Sequence, residues 1–225
     1  NKKSDFFFLS RENEEAIAPT IVDLCVNRLP KTYGNDASLG IQIITPSHKG
    51  AAGTEILNNM LQGVLNPPSP TKKEKKFREI IFREGDKIMQ VRNNYELEWE
   101  KQGEKGTGIF NGDIGRIEFI NYQEECMLIS FDDRSCVYPF ASLEDIEHAY
   151  AITVHKSQGS EYPIVIIPMY SFNTRLMTRN LLYTAVTRAV KMVIMVGKAS
   201  IVQRMVDTNK PTKRYTGLEM MLSEN

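Results

Sequence analysis

The sequence predicts an α/β protein, a parallel-sheet domain interrupted midway by a small all-β barrel. Three observations carry that prediction. Short apolar runs at Asp5–Leu9, Ile41–Thr45, Ile164–Ile167 and Met192–Val196 alternate with stretches of helical period, the grammar of a parallel sheet covered by helices. Between about Gly85 and Glu147 the apolar period falls to two, the signature of short antiparallel strands. Beyond that stretch the first grammar returns. Residues 1–84 and 148–225 are therefore read as two parts of one α/β domain, and 85–147 as a barrel inserted into it and separable from it.

In chain order, Asp5-Phe6-Phe7-Phe8-Leu9 is too short for a helix and too apolar for a surface strand, so it reads as a buried strand. Acidic residues at Glu12 and Glu14 favour a helix N-terminus, and Ala16, Ile17, Ile21, Leu24, Cys25 and Leu29 keep a helical period up to Pro30. Tyr33-Gly34-Asn35-Asp36 is a turn. Ile41–Thr45 is a second buried strand, and Pro46–Gly53 a tight loop. Glu55–Leu65 is a helix with Ile56, Leu57, Met60, Leu61 and Val64 inward. Three prolines between Asn66 and Pro70, followed by Lys72-Lys73-Glu74-Lys75-Lys76, read as a linker or exposed loop.

Within the barrel segment, Ile88, Ile114, Ile117, Phe119, Met127, Ile129, Phe131, Val137 and Phe140 are the expected core positions. Turns are expected at Asn111-Gly112-Asp113, Tyr122-Gln123-Glu124 and Asp132-Asp133-Arg134. After it come strands at Tyr150–Val154 and Ile164–Ile167, a helix over Thr178–Ala189, a strand at Met192–Val196 and a short helix over Ile201–Val206.

Composition narrows the function class. Hydrophobic residues make up 41% and charged residues 25% of 225 residues, ordinary globular values that exclude intrinsic disorder. Lys+Arg 28 against Asp+Glu 28 excludes a module that binds nucleic acid by bulk positive charge, though not a local basic face. No apolar stretch reaches the ~18 residues of a membrane span, so no membrane partner is expected. Three scattered cysteines without a CxxC pair argue against a zinc site or disulfide framework and point to the cytoplasm. Cys126 and Cys136 could meet across a hairpin but read as small buried hydrophobes. The start at Asn1 without Met suggests a piece of a longer protein.

Two apparent motifs carry less than they promise. Gly50-Ala51-Ala52-Gly53-Thr54 sits between a strand and a helix, yet no lysine follows the second glycine, so it lacks the phosphate-reaching residue of a GxxxxGK[ST] loop. Met127–Asp133 imitates an apolar strand ending in metal-binding acids, but lies inside the alternating segment, where Asp132-Asp133 makes a hairpin turn. On this reading the chain by itself does not hydrolyse ATP, and no metal site is expected within it.

The densest polar segment is Thr153-Val154-His155-Lys156-Ser157-Gln158-Gly159-Ser160-Glu161, between two apolar strands where α/β sheets present loops to ligands. Its short donors and acceptors suit a sugar-phosphate backbone. In order and type it resembles motif V of superfamily 1 helicases in the TxHKxQGxE form of the RecD-like branch. Asn180–Ala189, with Leu181-Leu182-Tyr183-Thr184-Ala185-Val186-Thr187-Arg188-Ala189, is similar to motif VI, and Ile43–Thr54 is similar to the motif IV region. The resemblance covers essentially the whole chain. It identifies the C-terminal half of a RecD-like DNA helicase of the exodeoxyribonuclease V alpha-subunit type. It implies a RecA-like domain 2A of P-loop NTPase type, with a UvrD-like C-terminal part and an inserted SH3-like barrel, 2B.

The resemblance further implies roles. Arg188 would be the catalytic arginine that meets the γ-phosphate across an interdomain cleft, where a planar cation can stabilise phosphoryl transfer. Gln158, Gly159 and Glu161 would lie at the nucleotide, Glu161 near the ribose. Lys49 would be the motif IV cation there, with His48 the adjacent alternative. Thr153, His155, Lys156, Ser157 and Thr184 would touch DNA. ATP and Mg are the implied cofactors of the full-length enzyme, the Mg ligands belonging to an N-terminal RecA-like domain outside this sequence. The implied partners are single-stranded DNA, that N-terminal domain and other exodeoxyribonuclease V subunits, in DNA repair and recombination with 5′ to 3′ polarity. In the barrel, Lys87, Arg92, Arg116 and Arg134 with Tyr95, Trp99 or Tyr122 are candidates for a strand path. Two rivals stand beside this reading: a relaxase-type conjugative helicase, and a degenerate helicase half acting as a binding scaffold.

Overall fold

A computed structural model describes residues 4–34 and 40–209. Strand β1 (Phe6–Ser10) is followed by a 3-10 turn at Glu14–Ala16, where Asn13 Oδ1 accepts from the Glu15 N–H at 3.0 Å. Helix α1 (Ile17–Asp23), a π-helical turn (Leu24–Arg28) and α2 (Leu29–Tyr33) follow without a break. The helix therefore does not stop at Pro30. The wide turn lets the Leu29 N–H bond Leu24 O, and the proline falls at the first positions of α2, where its missing N–H costs little. Gly34 ends α2 at φ 87°, while Asn35 and Asp36 of the expected turn lie outside the described residues.

Strand β2 (Ile41–Thr45) leads through a tight loop to α3 (Thr54–Leu65). Leu57 and Leu61 are buried as expected, but Ile56 and Val64 face outward. The inward stripe is completed by Thr54 and Gln62, whose polar groups are hydrogen-bonded inside the protein. The lysine run is no linker: β3 (Glu74–Phe77) and β4 (Ile80–Arg83) form an antiparallel hairpin. Lys73 Nζ lies 4.1 Å from the Phe119 ring centroid and donates to Ile120 O at 2.9 Å, and Lys75 Nζ lies 4.1 Å from Phe140. These stems cover aromatic surface with their charges at the rim.

The barrel consists of β5 (Lys87–Gln90), β6 (Asn94–Lys101), β7 (Glu104–Ile109), β8 (Ile114–Asn121), β9 (Cys126–Phe131), β10 (Arg134–Pro139) and β11 (Ile146–His148), in the order β11-β5-β8-β9-β10-β6-β7. Its core holds Ile88, Ile117, Met127, Ile129, Phe131 and Tyr138. Two expected core residues are outside. A bulge between Ile117 and Phe119 leaves Phe119 46% exposed and turns Ile120 inward. Val137 is 62% exposed because Cys136 and Tyr138 take the inner face, the tyrosine donating to Gln90 Oε1 at 3.0 Å. The Asp132-Asp133 turn closes the β9–β10 hairpin, with Asp133 paired to Lys101 at 2.6 Å. Cys126 faces Pro139 and Cys136 faces Ile129, so the two thiols do not meet. Burial pushes the Cys136 thiol up to about 11 and Cys25 to about 12, which keeps both protonated and unreactive.

Strands β12 (Ala151–Thr153), β13 (Tyr162–Met169) and β14 (Ala189–Gly197) return to the first sheet, whose order is β1-β14-β13-β2-β12, every pair parallel. Between β13 and β14 runs α4 (Arg179–Val186), capped by Thr178, and α5 (Ala199–Asp207) follows β14. Helix α4 is shorter than expected because Ala189 already pairs with Tyr162. α1 and α3 cover one face of the sheet, α4 and α5 the other.

The barrel is not a bead on a string. Asp86, fully buried, accepts from the Arg83 N–H at 2.7 Å, Gln62 Nε2 at 2.7 Å, Asn66 Nδ2 at 2.7 Å and the Tyr150 hydroxyl at 3.0 Å, and pairs with His148 Nε2 at 3.0 Å. Asp86 and His148 stand where the chain enters and leaves the barrel, while Gln62 and Tyr150 belong to the α/β side. Met89 of β5 joins the apolar cluster beneath α4 and α5. Both observations count against deleting the barrel without loss to the body.

Candidate functional site

Neighbouring parallel strands present their following loops side by side. The loop after β2 is held by Thr45 Oγ1 donating to Ala52 O at 2.8 Å and by the Tyr170 hydroxyl donating to Lys49 O at 3.2 Å. Its close turn needs glycine at position 53, where a Cβ would stand 2.3 Å from His48 O. His48 Nδ1 lies 3.1 Å from Thr54 Oγ1, and His48, Thr153, Lys156 and Glu147 line one small recess. The Lys49 side chain is exposed.

The segment 154–161 leaves the C-terminal end of β12, where the Val154 N–H donates to Thr45 O at 3.1 Å, and enters β13 at its N-terminal end. It crosses from one edge of the sheet to the other as a chain of tight turns. The Ser157 N–H donates to Thr153 O at 3.1 Å, Gln158 N–H to His155 O at 3.3 Å and Ser160 N–H to Ser157 O at 3.2 Å. Gly159 has φ 88° with open space around it, so glycine is required there by backbone conformation and not by a close neighbour.

Side chains of this segment divide into two kinds. His155, Gln158 and Glu161 are exposed. Thr153 and Ser157 are buried, and the Ser157 hydroxyl donates to Val154 O at 2.7 Å. Expected among the DNA contacts, Ser157 is instead turned inward, where it holds the loop. Ser157→Ala is therefore expected to lower stability by about 1 kcal/mol, read as a shift of the urea midpoint, and to affect ligands only through the loop. Lys156 is half-buried, its ammonium 2.7 Å from Glu147 Oε2 of β11, which ties the loop to the barrel exit.

Arg188 follows the last turn of α4 and immediately precedes β14. Its guanidinium donates to Thr184 O at 3.3 Å, Ser160 O at 3.2 Å and Thr187 Oγ1 at 3.4 Å, which joins the end of α4 to the end of the 154–161 loop. The Thr184 hydroxyl donates back to Asn180 O at 2.8 Å. Beside Arg188, the Tyr162 hydroxyl is buried, and burial pushes its phenol up against the opposing pull of Ser160 and the Arg188 charge.

The structure thus brings Gln158, Gly159, Glu161 and Arg188 toward the edge where β13 and β14 begin, and Lys49, Thr153, His155 and Lys156 toward the edge where β2 and β12 end. Lys49 and Arg188 are not brought together, since the sheet is roughly 15 Å deep at the ~3.3 Å rise per residue of a strand. Of the two motif IV alternatives, His48 is the one beside Thr153 and Lys156.

The barrel candidates do not form one track. Arg92 pairs with Glu144 and Asp145, Arg134 with Asp113 at 2.9 Å, and the Tyr122 hydroxyl donates to Glu74 O at 2.7 Å. Tyr95 packs edge-on against Phe110, Trp99 lies 5.9 Å from the Arg134 guanidinium, and Lys87 points into the junction with the sheet. The Asp86 network and the Lys156–Glu147 tie have no counterpart in the sequence reading, because neither follows from spacing along the chain. Among the described residues no cluster of three or more His, Cys, Asp and Glu is placed to hold a metal ion, and no helix is long and apolar enough to cross a membrane.

Residues 57–131 match the family model for the ATP-dependent RecD-like DNA helicase SH3 domain, and 148–196 match that for the UvrD-like helicase C-terminal domain. The chain is 32% identical over 160 residues to the ATP-dependent RecD2 DNA helicase of Deinococcus radiodurans, covering 71% of this chain and 20% of that protein. It is 44% identical over 80 residues to the RecBCD enzyme subunit RecD of Mycobacterium tuberculosis, covering 36% of this chain and 14% of that one. Among solved structures, Pif1 helicase from Bacteroides in complex with ADP-AlF3 and ssDNA aligns with a TM-score of 0.47 at 17% identity, covering 96% of this chain and 55% of the other. The chain spans a fifth or less of the length of the two relatives in sequence.

Proposed function

This chain corresponds to the C-terminal part of a RecD-like superfamily 1 helicase, and from that premise we propose that it supplies one wall of an ATP cleft and one grip on single-stranded DNA in an ATP-dependent DNA helicase. The observation that carries the reading is the 154–161 loop. It begins among the groups at one edge of the sheet and ends at Ser160, whose carbonyl accepts from Arg188 at the other. Movement at either end is therefore transmitted by a short segment of hydrogen-bonded turns, as a coupling between two sites requires.

At the nucleotide edge, Arg188 meets the γ-phosphate and Glu161 accepts from a ribose hydroxyl, with Gln158 and Gly159 beside them. Glu161 and Gln158 are exposed and Arg188 is bonded only to neutral oxygens, so these groups fit a phosphate and a sugar presented from outside. ATP, when bound, supplies the phosphoryl group whose transfer drives the motion. The phosphate-loop lysine and the Mg ligands come from a second RecA-like domain. At the other edge, His155 and Lys156 touch the DNA backbone, with Lys49 as an outlying contact, while Thr153 and Ser157 act by shaping the loop and Thr184 lies apart from them beside Arg188. Subunits of an exodeoxyribonuclease V assembly are the partners this reading implies, and DNA repair and recombination its setting.

The isolated chain is expected to show no DNA-stimulated ATPase, since nothing in it replaces the phosphate-loop lysine. Its single-strand binding, measured by fluorescence anisotropy, should be weak and fall steeply with salt. ATP turnover by the purified chain, abolished by a substitution within it, would overturn the assignment.

A further inference from the structure

We propose that the cavity where the barrel meets the α/β sheet binds a small organic anion, a phosphate or carboxylate carried on an apolar body. This site is separate from both sheet edges described above and does not depend on the helicase reading. It measures about 310 Å³, with Cys25, Ile41, Leu61 and Leu65 forming an apolar floor, and Lys87 and Arg116 the charged part of a polar wall that Asn66 and Tyr150 complete.

The two cations are the unusual feature. Lys87 of β5 and Arg116 of β8 are direct cross-strand partners, an arrangement of like charges that destabilises a sheet unless an anion offsets it. Lys87 Nζ donates to Gln42 Oε1 at 2.9 Å, a neutral amide in the sheet, and among the described residues no carboxylate lines the cavity. Among the described residues neither cation has an ion-pair partner, whereas Arg92 and Arg134 elsewhere on the barrel are both paired. Enclosed charges are ordinarily paired, because an ammonium removed from water without an anion is costly. Consistent with that cost, burial, helped by the neighbouring Arg116 charge, pulls the Lys87 ammonium down to about 8.

An anion between Lys87 and Arg116 relieves the repulsion and favours the charged form of the lysine, and the apolar floor selects what the anion is attached to. The volume lies at the small end for ligand pockets, room for about one ring and its anionic substituent. A DNA phosphate suits the site less well: its deoxyribose is more polar than a phenyl ring and would cover the apolar floor poorly.

The test is calorimetric titration of the full chain with phenyl phosphate, inorganic phosphate and a short oligothymidylate. Phenyl phosphate is expected to bind at least about tenfold tighter than inorganic phosphate, about 1.4 kcal/mol for the apolar contact. Lys87→Met and Arg116→Gln should each weaken it about tenfold or more. Arg116 lies on the exposed rim, so its substitution keeps the test valid if Lys87→Met alters folding. Equal affinity for the two phosphates, no binding of either, or binding indifferent to both substitutions would each defeat the proposal. Displacement of phenyl phosphate by oligothymidylate at lower phosphate concentration than by inorganic phosphate would assign the site to nucleic-acid backbone and overturn it as well.

Discussion

Arg188→Lys, placed in an enzyme that carries both RecA-like domains, is expected to lower DNA-stimulated ATP turnover by about 10³-fold while leaving single-strand affinity nearly unchanged. The substitution separates two roles that this position serves equally well on paper. As a cation after the last turn of α4, the residue complements the helix dipole, and lysine does that too. As a fork, the guanidinium offers several N–H groups in one plane, and lysine offers only a point charge. In the present structure that fork spans three oxygens, on Ser160, Thr184 and Thr187. None is charged, so a γ-phosphate would compete with them favourably, and the loop ending at Ser160 would be released when it did. Steady-state turnover at saturating oligonucleotide, with anisotropy for affinity, distinguishes the two roles. Near-normal turnover in Arg188→Lys would make the residue a helix-end cation and remove the γ-phosphate assignment.

The parts of the molecule legible in the sequence are those whose environment is uniform along the chain. Strands β2, β13 and β14 are covered by helices on both faces, so their residues are apolar without alternation and stand out. The β6–β7 hairpin is missing from the expected strands although Tyr95, Leu97 and Trp99 alternate with Glu96, Glu98 and Glu100, because its partner β7 shows no apolar residue before Ile109. A bulge puts Phe119 outside the barrel, and a π-turn carries the first helix past Pro30, features that depend on partner strands and packing. The site shows the same division. The order Thr153 to Glu161 and the segment ending at Arg188 point to one kind of chemistry through their resemblance to helicase motifs V and VI. That Ser157 turns inward to Val154 O, that Lys156 is taken by Glu147, and that Lys49 stands at the opposite edge from Arg188 depend on the folded chain.

Asp86→Ala is expected to cost about 3–5 kcal/mol, the most damaging single change in this chain, although Asp86 belongs to no motif. The loss comes less from removing an attraction than from what is left behind. Four donors, on Gln62, Asn66, Arg83 and Tyr150, lose their acceptor in a buried place, and His148 loses its carboxylate. Asp86→Asn should be nearly as harmful, because its amide NH2 would face donors. Acid supplies an independent reading. Burial raises the Asp86 carboxyl, but the hydrogen bond and charge of His148, with Asn66 and the Arg83 N–H, outweigh it and hold the group below the ordinary aspartate range. A carboxyl depressed in the folded state contributes stability that is fully present above its unfolded value, near pH 4, and is lost as pH falls through its folded value. Urea midpoints should therefore show an acid-side loss below about pH 4 that is smaller in Asp86→Ala than in the parent. Because Asp86 and His148 mark both crossings between barrel and body, the variant should also be cleaved first near those crossings in limited proteolysis. A cost under about 1 kcal/mol at pH 7, with an unchanged cleavage pattern, would mean that the barrel is held to the body by the apolar contacts of Met89 and Ile114 and not by the buried carboxylate.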